Sequence, residues 1–563
     1  MSLRTFRRPG VAGLSVVAAL TLTLTGCSSS GSGAKSGGLT TITVGTSDIG
    51  TENFNPFNNT GAFMQPTQGV IYEALFYYNK TNAGDPVPLL GTSYTWNTDG
   101  TQLTVKVRPG VKFTDGTAMT SQDVAYSLNL FSNNPGLNTT GTKWTATAGG
   151  ADTVTVAFPS TSFTLGPQVL GNIPIVPQAI WSKIADPTTA TNTTPVGTGP
   201  YKLKSFNTQS YLLTKNTTYW GTGADAPAVD QVRYVPSSAA NLTQSALEAG
   251  TLDIVGGFLP TLKSIVGRHP NLAYTNTPQA TSSLFTCVNP AMGCTGPQTD
   301  LAVRQAMYYA MDRTQLGTQA GAGFSLPASN VMILNSVNKS QITSPDYMTA
   351  PQNADTAKAK SVLEADGWTL GSDGYYAKGG QKLALSINVV SGWTDYDTIC
   401  TLLQAQFKSA GIKLTVNTMS QNAWLQGETS GKFQLSMNSV NMGVSSDPYY
   451  VFNNYLNTLA TAKVGKNATT NTSRFSDPAV DAALKQLAST NDDAVKQAAY
   501  KTIEDKVATQ MPYIPVYVNS ALAEYNNSRA TGWPTADNLY AFPLPWNNNW
   551  GLGLVLKKIR PVK

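Results

Sequence analysis

Only one histidine, His269, occurs in the chain, inside the turn-like stretch GRHPN. A Ser-His-Asp triad would have to use it, no Gly-x-Ser-x-Gly elbow accompanies it, and a metal site built on two histidines is ruled out. The four cysteines, Cys27, Cys287, Cys294 and Cys400, do not fall at zinc-ligand spacing. No Gly-x4-Gly-Lys-Ser/Thr loop is available to cradle a phosphate. Paired carboxylates remain, because glycoside hydrolysis asks for two acids and little else. The candidates are Asp115 and Asp123 in VKFTDGTAMTSQDVAYSL. Asp115 precedes a glycine in a turn signal, and Asp123 follows Thr120 by three residues, the spacing of a helix cap. Those local roles account for both acids. The chain reads as one that binds.

Groups suited to binding are better represented. Asn55 and Phe57 flank Pro56, Trp393 and Trp424 lie further along, Asn438 and Asn441 stand in FQLSMNSVNMGVSSDP, and Trp533 and Trp546 in GWPTADNLYAFPLPWNNNW. An asparagine amide both donates and accepts, and an indole ring can stack on a sugar face or cover a peptide side chain. Core packing is the alternative role for each tryptophan taken singly. Cys287 and Cys294 sit seven apart in CVNPAMGC, where Pro290 and Gly293 can turn the chain back. They are expected to form a disulfide outside the membrane, two free thiols in a loop being the alternative. Cys400 lies in a helical pattern as a buried small hydrophobe.

The elements that must hold these groups alternate between strands and helices, which argues for α/β lobes. At 563 residues the chain calls for more than one core. LTTITVGTS is a strand with Ile42 and Val44 alternating, and GVIYEALFYYN is helix-like. Residues 94–107 form a hairpin about Asp99-Gly100, with Leu103, Val105 and Val107 on one face. Thr120 and Asp123 cap a helix carrying Val124, Leu128 and Phe131. In PVGTGPYKLKSFNTQSYLLTKNTTYW a glycine turn at Gly197 and Gly199 feeds two strands. Further helices are expected over 241–250, from Asp300, over 355–366, around Ile399–Phe407, from Asp477-Pro478, and over 492–510.

Composition and the N-terminus set the compartment. Charged residues are 12%, against roughly 25% in ordinary soluble domains. The net charge is +6, and about +3 without Arg4, Arg7 and Arg8, which does not suggest nucleic acid or an anionic membrane as partner. Those arginines precede an apolar stretch over 11–24 that is too short to span a bilayer. It ends in Leu24-Thr25-Gly26-Cys27, which matches the lipobox of bacterial lipoproteins, with Cys27 as the lipidated residue. A Ser/Gly tether over 27–38 follows.

PVGTGPY with KNTTYW closely resembles a signature of the family 5 extracellular solute-binding proteins, the capture subunits of oligopeptide, dipeptide, nickel and some oligosaccharide ABC importers. The Asn-Pro loop at 55–56, YEALF, the block running RPGVKF to DVAYS, the Leu-Glu-Ala-Gly unit before LDIV, and VRQAMYYAMDR are similar to the family in the same order. The resemblance implies a periplasmic-binding-protein-like two-lobe α/β fold (type II, cluster C) with an extra side domain. It places the signal peptide at 1–26 and lobe 1 at 39–70, 190–283 and 518–563. The side domain is placed at 71–189 and lobe 2 at 284–517. It further implies a monomer, lipid-anchored on the outer face of the cell membrane, with no cofactor and no enzymatic activity. Its partners would be a small oligomeric ligand, peptide or sugar, and the permease and ATPase subunits of an importer. Asn55, Phe57, Trp393, Trp424, Asn438, Asn441, Trp533 and Trp546 are the candidate ligand residues.

One departure bears on the ligand. Peptide-binding members pair an aspartate in the third domain with the peptide's ammonium, yet no carboxylate stands between Phe433 and Asp447, and Asp447 directly precedes Pro448. A buried ammonium lacking an opposite charge is costly. An oligopeptide remains the expected cargo, with an oligosaccharide as the alternative ligand. A sensory or adhesion lipoprotein is the alternative of another class.

Overall fold

The computed structural model describes residues 40–46, 49–58, 66–237, 239–545 and 550–562. Cys27, the expected leader and tether, and Trp546 lie outside them. Residues 40–563 form one compact unit. Its backbone is a ten-stranded mixed sheet and a four-stranded antiparallel one, with helices packed around them.

The strands used below are, in chain order, β1 (Thr41–Thr46), β2 (Gly91–Trp96), β3 (Gln102–Val107), β4 (Thr145–Ala148), β5 (Thr153–Ala157), β6 (Tyr201–Asn207) and β7 (Ser210–Lys215). They continue with β8 (Gln231–Pro236), β9 (Ile254–Gly256), β10 (Leu272–Thr286), β11 (Ala384–Val390), β12 (Lys413–Met419), β13 (Leu435–Asn441) and β14 (Tyr513–Asn526). The large sheet has the order β12-β11-β13-β10-β14-β9-β1-β8-β7-β6. β1 runs parallel to β8 and β9, and β11 runs parallel to β12 and β13. Strands covered on both faces read as continuous apolar runs, and two cores flank each half of this sheet. Val44, Val232, Leu213 and Tyr525 share one core of the first half, and Val255, Leu272 and Leu522 the other. In the second half Leu284, Ile387 and Leu435 are separated from Phe285, Val440 and Tyr513 in the same way.

Only β10 and β14 run through both halves. Leu272–Thr277 pairs with the stretch of β14 next to β9, and Ala280–Thr286 lies between β14 and β13. A register shift falls between Pro278 and Ala280, at the passage from one half to the other. Pro278 has no N–H to give a ladder, so the irregularity has a local cause.

The helices follow their sequence signals. Helix α1 (Ser121–Asn133) starts with a reciprocal cap in which the Thr120 backbone N–H donates to Asp123 at 2.9 Å. Asp123 also accepts from the Gln178 N–H, and Asp115 accepts from the Thr117 N–H, so both acids serve turns and caps. Val124, Leu128 and Phe131 face the small sheet, ordered β2-β3-β5-β4. Asp300, Asp355, Asp477 and Asp492 cap α2 (Leu301–Ala310), α3 (Thr356–Ala365), α4 (Pro478–Ala488) and α5 (Asp493–Gln510). Cys287 and Cys294 form a disulfide, with Cα atoms 5.5 Å apart, and Cys400 is a buried free thiol. Among the described residues no helix is long and apolar enough to cross a membrane.

Residues 69–79 overturn an expectation. GVIYEALFYYN is not a helix; its one regular piece is the strand Phe76–Tyr77. Val70 to Tyr77 are buried without exception, so a helix here would have no face for water. Neighbouring segments take its backbone groups instead. The Gly199 and Tyr201 N–H groups donate to the carbonyls of Ile71 and Val70, and that of Ile175 donates to Glu73. A Cβ at Gly197 or Gly199 would overlap the carbonyl oxygens of Ile71 and Val70, which explains the glycines of PVGTGPY.

Glu73 is the buried charge of this contact. Its carboxylate accepts from the Tyr219 hydroxyl at 2.6 Å and from the Trp220 Nε1–H at 2.9 Å. Lys557, on the C-terminal helix Gly551–Lys558, donates to the same Tyr219 hydroxyl at 3.0 Å. Burial raises the Glu73 pKa, and the Lys557 charge and these hydrogen bonds oppose the rise. Burial lowers Lys557, and Glu73 opposes that.

Removing one member strands the others, so Glu73→Ala should lower unfolding free energy by about 3–5 kcal/mol. Urea titration of both proteins measures it, and a loss below about 1 kcal/mol would contradict the role given to the carboxylate. A second expectation concerns Glu504 on α5, which is buried and accepts from the backbone N–H and hydroxyl of Thr343. Burial pushes its pKa from 4.5 up to about 7. The folded chain therefore holds a proton that the unfolded chain has released, and this stabilisation, complete below pH 4.5, is lost as pH rises through about 7. Melting temperature should fall more steeply between pH 5 and 8 in the wild type than in Glu504→Gln; parallel curves would refute this.

Candidate functional site

A cavity of about 510 Å3 lies between the N-terminal half and a segment of the C-terminal half. One wall starts at the loop after β1, where Pro56 and Phe57 reach the cavity. Asn55 does not line it; its amide nitrogen donates to the carbonyls of Pro187 and Ala190, and its oxygen accepts from the Phe57 N–H. Asn55 thus fixes the loop, and Phe57 is held edge-on to Trp181 at 4.9 Å. Gln68 and Lys80, the end of α1, and Gln168 and Asn172 complete that side.

The other wall is short and local. β13 ends at Asn441, and Met442, Gly443 and Val444 follow into the cavity. The helix Pro448–Leu456 then begins with Asp447 as its cap, accepting from the Tyr449 N–H at 2.9 Å and the Tyr500 hydroxyl at 2.8 Å. Both bonds fall on one carboxylate oxygen, Oδ1. Tyr449, Tyr450, Asn453 and Asn454 of this helix line the cavity, and the Tyr450 hydroxyl donates across it to the Thr164 carbonyl. Lys80 is the one charged side chain lining the cavity among the described residues; amides, hydroxyls and aromatic rings make up the rest of its polar surface. Desolvation pulls the Lys80 ammonium from 10.5 down to about 8.

The other expected residues gather elsewhere. Trp393 follows β11 and packs edge-on against Trp424 at 5.4 Å and Tyr396 at 5.7 Å. The Tyr396 hydroxyl shares hydrogen bonds with Ser282 and Ser439, and the buried Trp424 Nε1 has no partner. Asn438 donates to Glu428 at 2.9 Å, a buried carboxylate that also accepts from Ser436 and Thr472. Burial raises the Glu428 pKa against those bonds. Asn441 gives its backbone N–H to the Tyr455 hydroxyl at 3.0 Å. This cluster stands at the carboxyl ends of strands in the second half and does not line the cavity. Trp533 belongs to the core, stacked on Tyr525 at 5.1 Å with its Nε1–H on the Ala530 carbonyl. Trp550, similarly buried, donates to Asn172. His269 ends a helix 3.9 Å from Glu248. No group of three or more His, Cys, Asp or Glu side chains suited to a metal occurs among the described residues.

Gln68, Lys80 and the Tyr449/Asn453 and Tyr450/Asn454 pairs escaped the sequence reading. The pairs had a signal: they recur four residues apart after Pro448, giving the helix a polar aromatic stripe. Gln68 and Lys80 had none.

Residues 85–462 match the model of bacterial extracellular solute-binding proteins, family 5 (middle region). The chain is a family 5 solute-binding protein. Members of this family are extracytoplasmic binding proteins of transport systems, not enzymes. Protein XP55 of Streptomyces lividans is 29% identical, over 74% of this chain and 72% of its own. The glutathione-binding protein GsiB of Escherichia coli K12 is 23% identical, over 87% and 91%. A periplasmic oligopeptide-binding protein of an ABC transporter from Thermotoga maritima superposes with a TM-score of 0.84 at 24% identity, covering 93% of this chain and 99% of that one. The same Thermotoga protein with mannohexaose bound gives 0.76 at 23% identity, covering 93% and 98%. The two-lobe architecture of the family is the one described above.

The Tyr450 contact leads to a direct test. A ligand held between the walls benefits from every bond that keeps them together, so Tyr450→Phe should weaken binding by about 0.5–1.5 kcal/mol without unfolding the protein. Titration calorimetry with any bound solute reads this, and unchanged affinity would show that the bridge is irrelevant to capture.

Proposed function

We propose that this protein captures an extended oligopeptide in the 510 Å3 cavity and hands it to the permease of an ABC importer. The observation that carries this reading is the lining: side-chain amides from both walls, Gln68, Gln168 and Asn172 against Asn453 and Asn454. Amides donate and accept together, so they suit the alternating groups of a peptide backbone whatever its side chains. A volume of this size falls in the range of small-ligand sites. Lobe 1 would comprise 39–70, 190–283 and 518–563, the side domain 71–189, and lobe 2 284–517. Closure about the irregular part of β10, near Pro278, would then remove ligand and cavity from water together. The lipobox cysteine Cys27 supports an anchor that keeps the trap on the outer face of the membrane.

An oligosaccharide is the second reading. Tyr449, Tyr450 and Phe57 offer rings on which sugar faces stack, and the Thermotoga relative binds mannohexaose. A thermal-shift panel of di- to pentapeptides and of β-gluco- and manno-oligosaccharides separates the two. At ligand concentrations about 100 times Kd, mass action adds about 2.7 kcal/mol of stability. Stabilisation by peptides is expected; stabilisation by sugars alone would overturn the peptide assignment.

A further inference from the structure

We infer that residues 321–326 form a splint across the bend between the two halves and hold them at the angle that encloses the cavity. This role rests on the halves closing over a solute, as proposed above, and adds what sets the balance between open and closed.

The chain makes an excursion here. The helix Arg313–Gln319 buries Leu316 in a core of the second half, and Ala320 lies in the same core. By Phe324 the chain has entered a core of the first half. That ring is 2% exposed, packed with Leu262, Ile265, Leu272 and Leu522 and edge-on to Tyr274 at 5.7 Å. By Val331 the chain is back in the second half. The turn between is tight, with Ala322 and Gly323 both left-handed (φ 49° and 71°) and the Gly323 N–H returned to the Gly317 carbonyl at 3.0 Å. Alanine takes that backbone only against its preference, so the turn is kept by what grips its end. Lys263 adds to the grip: its ammonium donates to the Gly323 carbonyl at 2.9 Å and lies 4.6 Å from the centre of the Phe324 ring.

Hydrogen bonds from the same segment straddle the bend. The Phe324 carbonyl accepts from the Asn276 amide and from the Ser520 hydroxyl, each at 2.7 Å. Asn276 belongs to the first-half part of β10, and Ser520 faces Pro278, where the register shifts. Leu326 then exchanges both main-chain bonds with Val518, which pairs with Thr281 on the second-half part of the ribbon. β9 meets β14 only over Ala523–Tyr525, so the strand edge at Val518 is open to Leu326. A ribbon of two strands bends readily at an irregularity. A segment bonded on both sides of it, and plugged into a core at one end, must break those bonds or withdraw Phe324 before the angle changes. Withdrawal would expose a large apolar ring to water. In this structure the two walls of the cavity meet through the Tyr450 hydroxyl and the Thr164 carbonyl, so the angle that is held is the closed one.

Hydroxyl-radical footprinting of the full chain, with no solute added, tests the splint. Phe57 and Tyr450 stand one on each wall of the cavity. Both should react at least about threefold faster in Phe324→Ala than in the wild type, as the open form gains population. Trp144 and Met307, buried inside separate halves, should keep their rates. Leu326→Pro removes only the N–H given to Val518, should act in the same direction, and decides the matter if Phe324→Ala does not fold. Faster reaction confined to Leu262 and Leu272, with Phe57 and Tyr450 unchanged, would mean that Phe324 only fills a core, and overturns the inference. Calorimetry with trialanine separates this from the peptide assignment. If the wild type binds it, Phe324→Ala should bind at least about fivefold more weakly, and equal affinity overturns the splint. If the wild type does not bind it, the peptide assignment is what fails, and the footprint alone decides.

Discussion

A buried carboxylate holds the first half of the molecule together. Glu73 lies in a segment without regular structure, Tyr219 and Trp220 close the hairpin β6–β7, and Lys557 comes from the C-terminal helix. Three stretches far apart in the chain thus meet at one anion. Arg108 extends the network, with its guanidinium 4.1 Å from the centre of the Trp220 ring and its Nε–H on the Leu89 carbonyl. Taking Glu73 out of water is unfavourable by several kcal/mol, so the arrangement stands only because each oxygen is met by a donor and a cation lies one hydroxyl away. The loop of Asn55 and Phe57, and hence one wall of the cavity, is positioned by the same body of structure.

Continuity between the halves comes from a different source. β10 and β14 exchange main-chain hydrogen bonds over their whole length, and each half builds its own pair of cores around its part of them. Two strands are enough to keep the halves in register and few enough to bend. The cavity wall contributed by 442–454 hangs from β13 on the far side of β10, so its distance from Phe57 and Gln68 depends on the path of those strands.

The cavity and the tryptophan cluster show how chemistry is divided along the sheet. Trp393, Trp424 and Tyr396 sit at carboxyl ends of strands with a serine-rich hydrogen-bond network beneath them, while the cavity is finished by amides and tyrosines from a single helix. Glu428 shows why a carboxylate near a ligand region need not serve the ligand. Ser436, Asn438 and Thr472 already donate to it, and Arg474, which donates to the carbonyls of Glu428, Thr429, Lys466 and Thr472, adds its charge nearby.

The caps at Thr120, Asp300, Asp355, Asp477 and Asp492, the alternation of Leu103, Val105 and Val107, and the glycine turn before β6 were all legible in the sequence. Each is decided by atoms within a few residues, so local chemistry sufficed. The family signature was legible too, because its residues recur in order along the chain. Sequence pattern misjudged residues 69–79, where Val70 to Tyr77 are all buried and the backbone bonds to segments elsewhere in the chain, some of them more than a hundred residues away. It placed Asn55 and Trp533 among ligand contacts because asparagines and tryptophans are suited to binding; folding committed their polar groups to nearby carbonyls. Which residues face the cavity was settled only by tertiary structure. Gln68, Lys80 and Asn453 come to line one cavity only when segments hundreds of residues apart converge, and the desolvation there exists only after they have met.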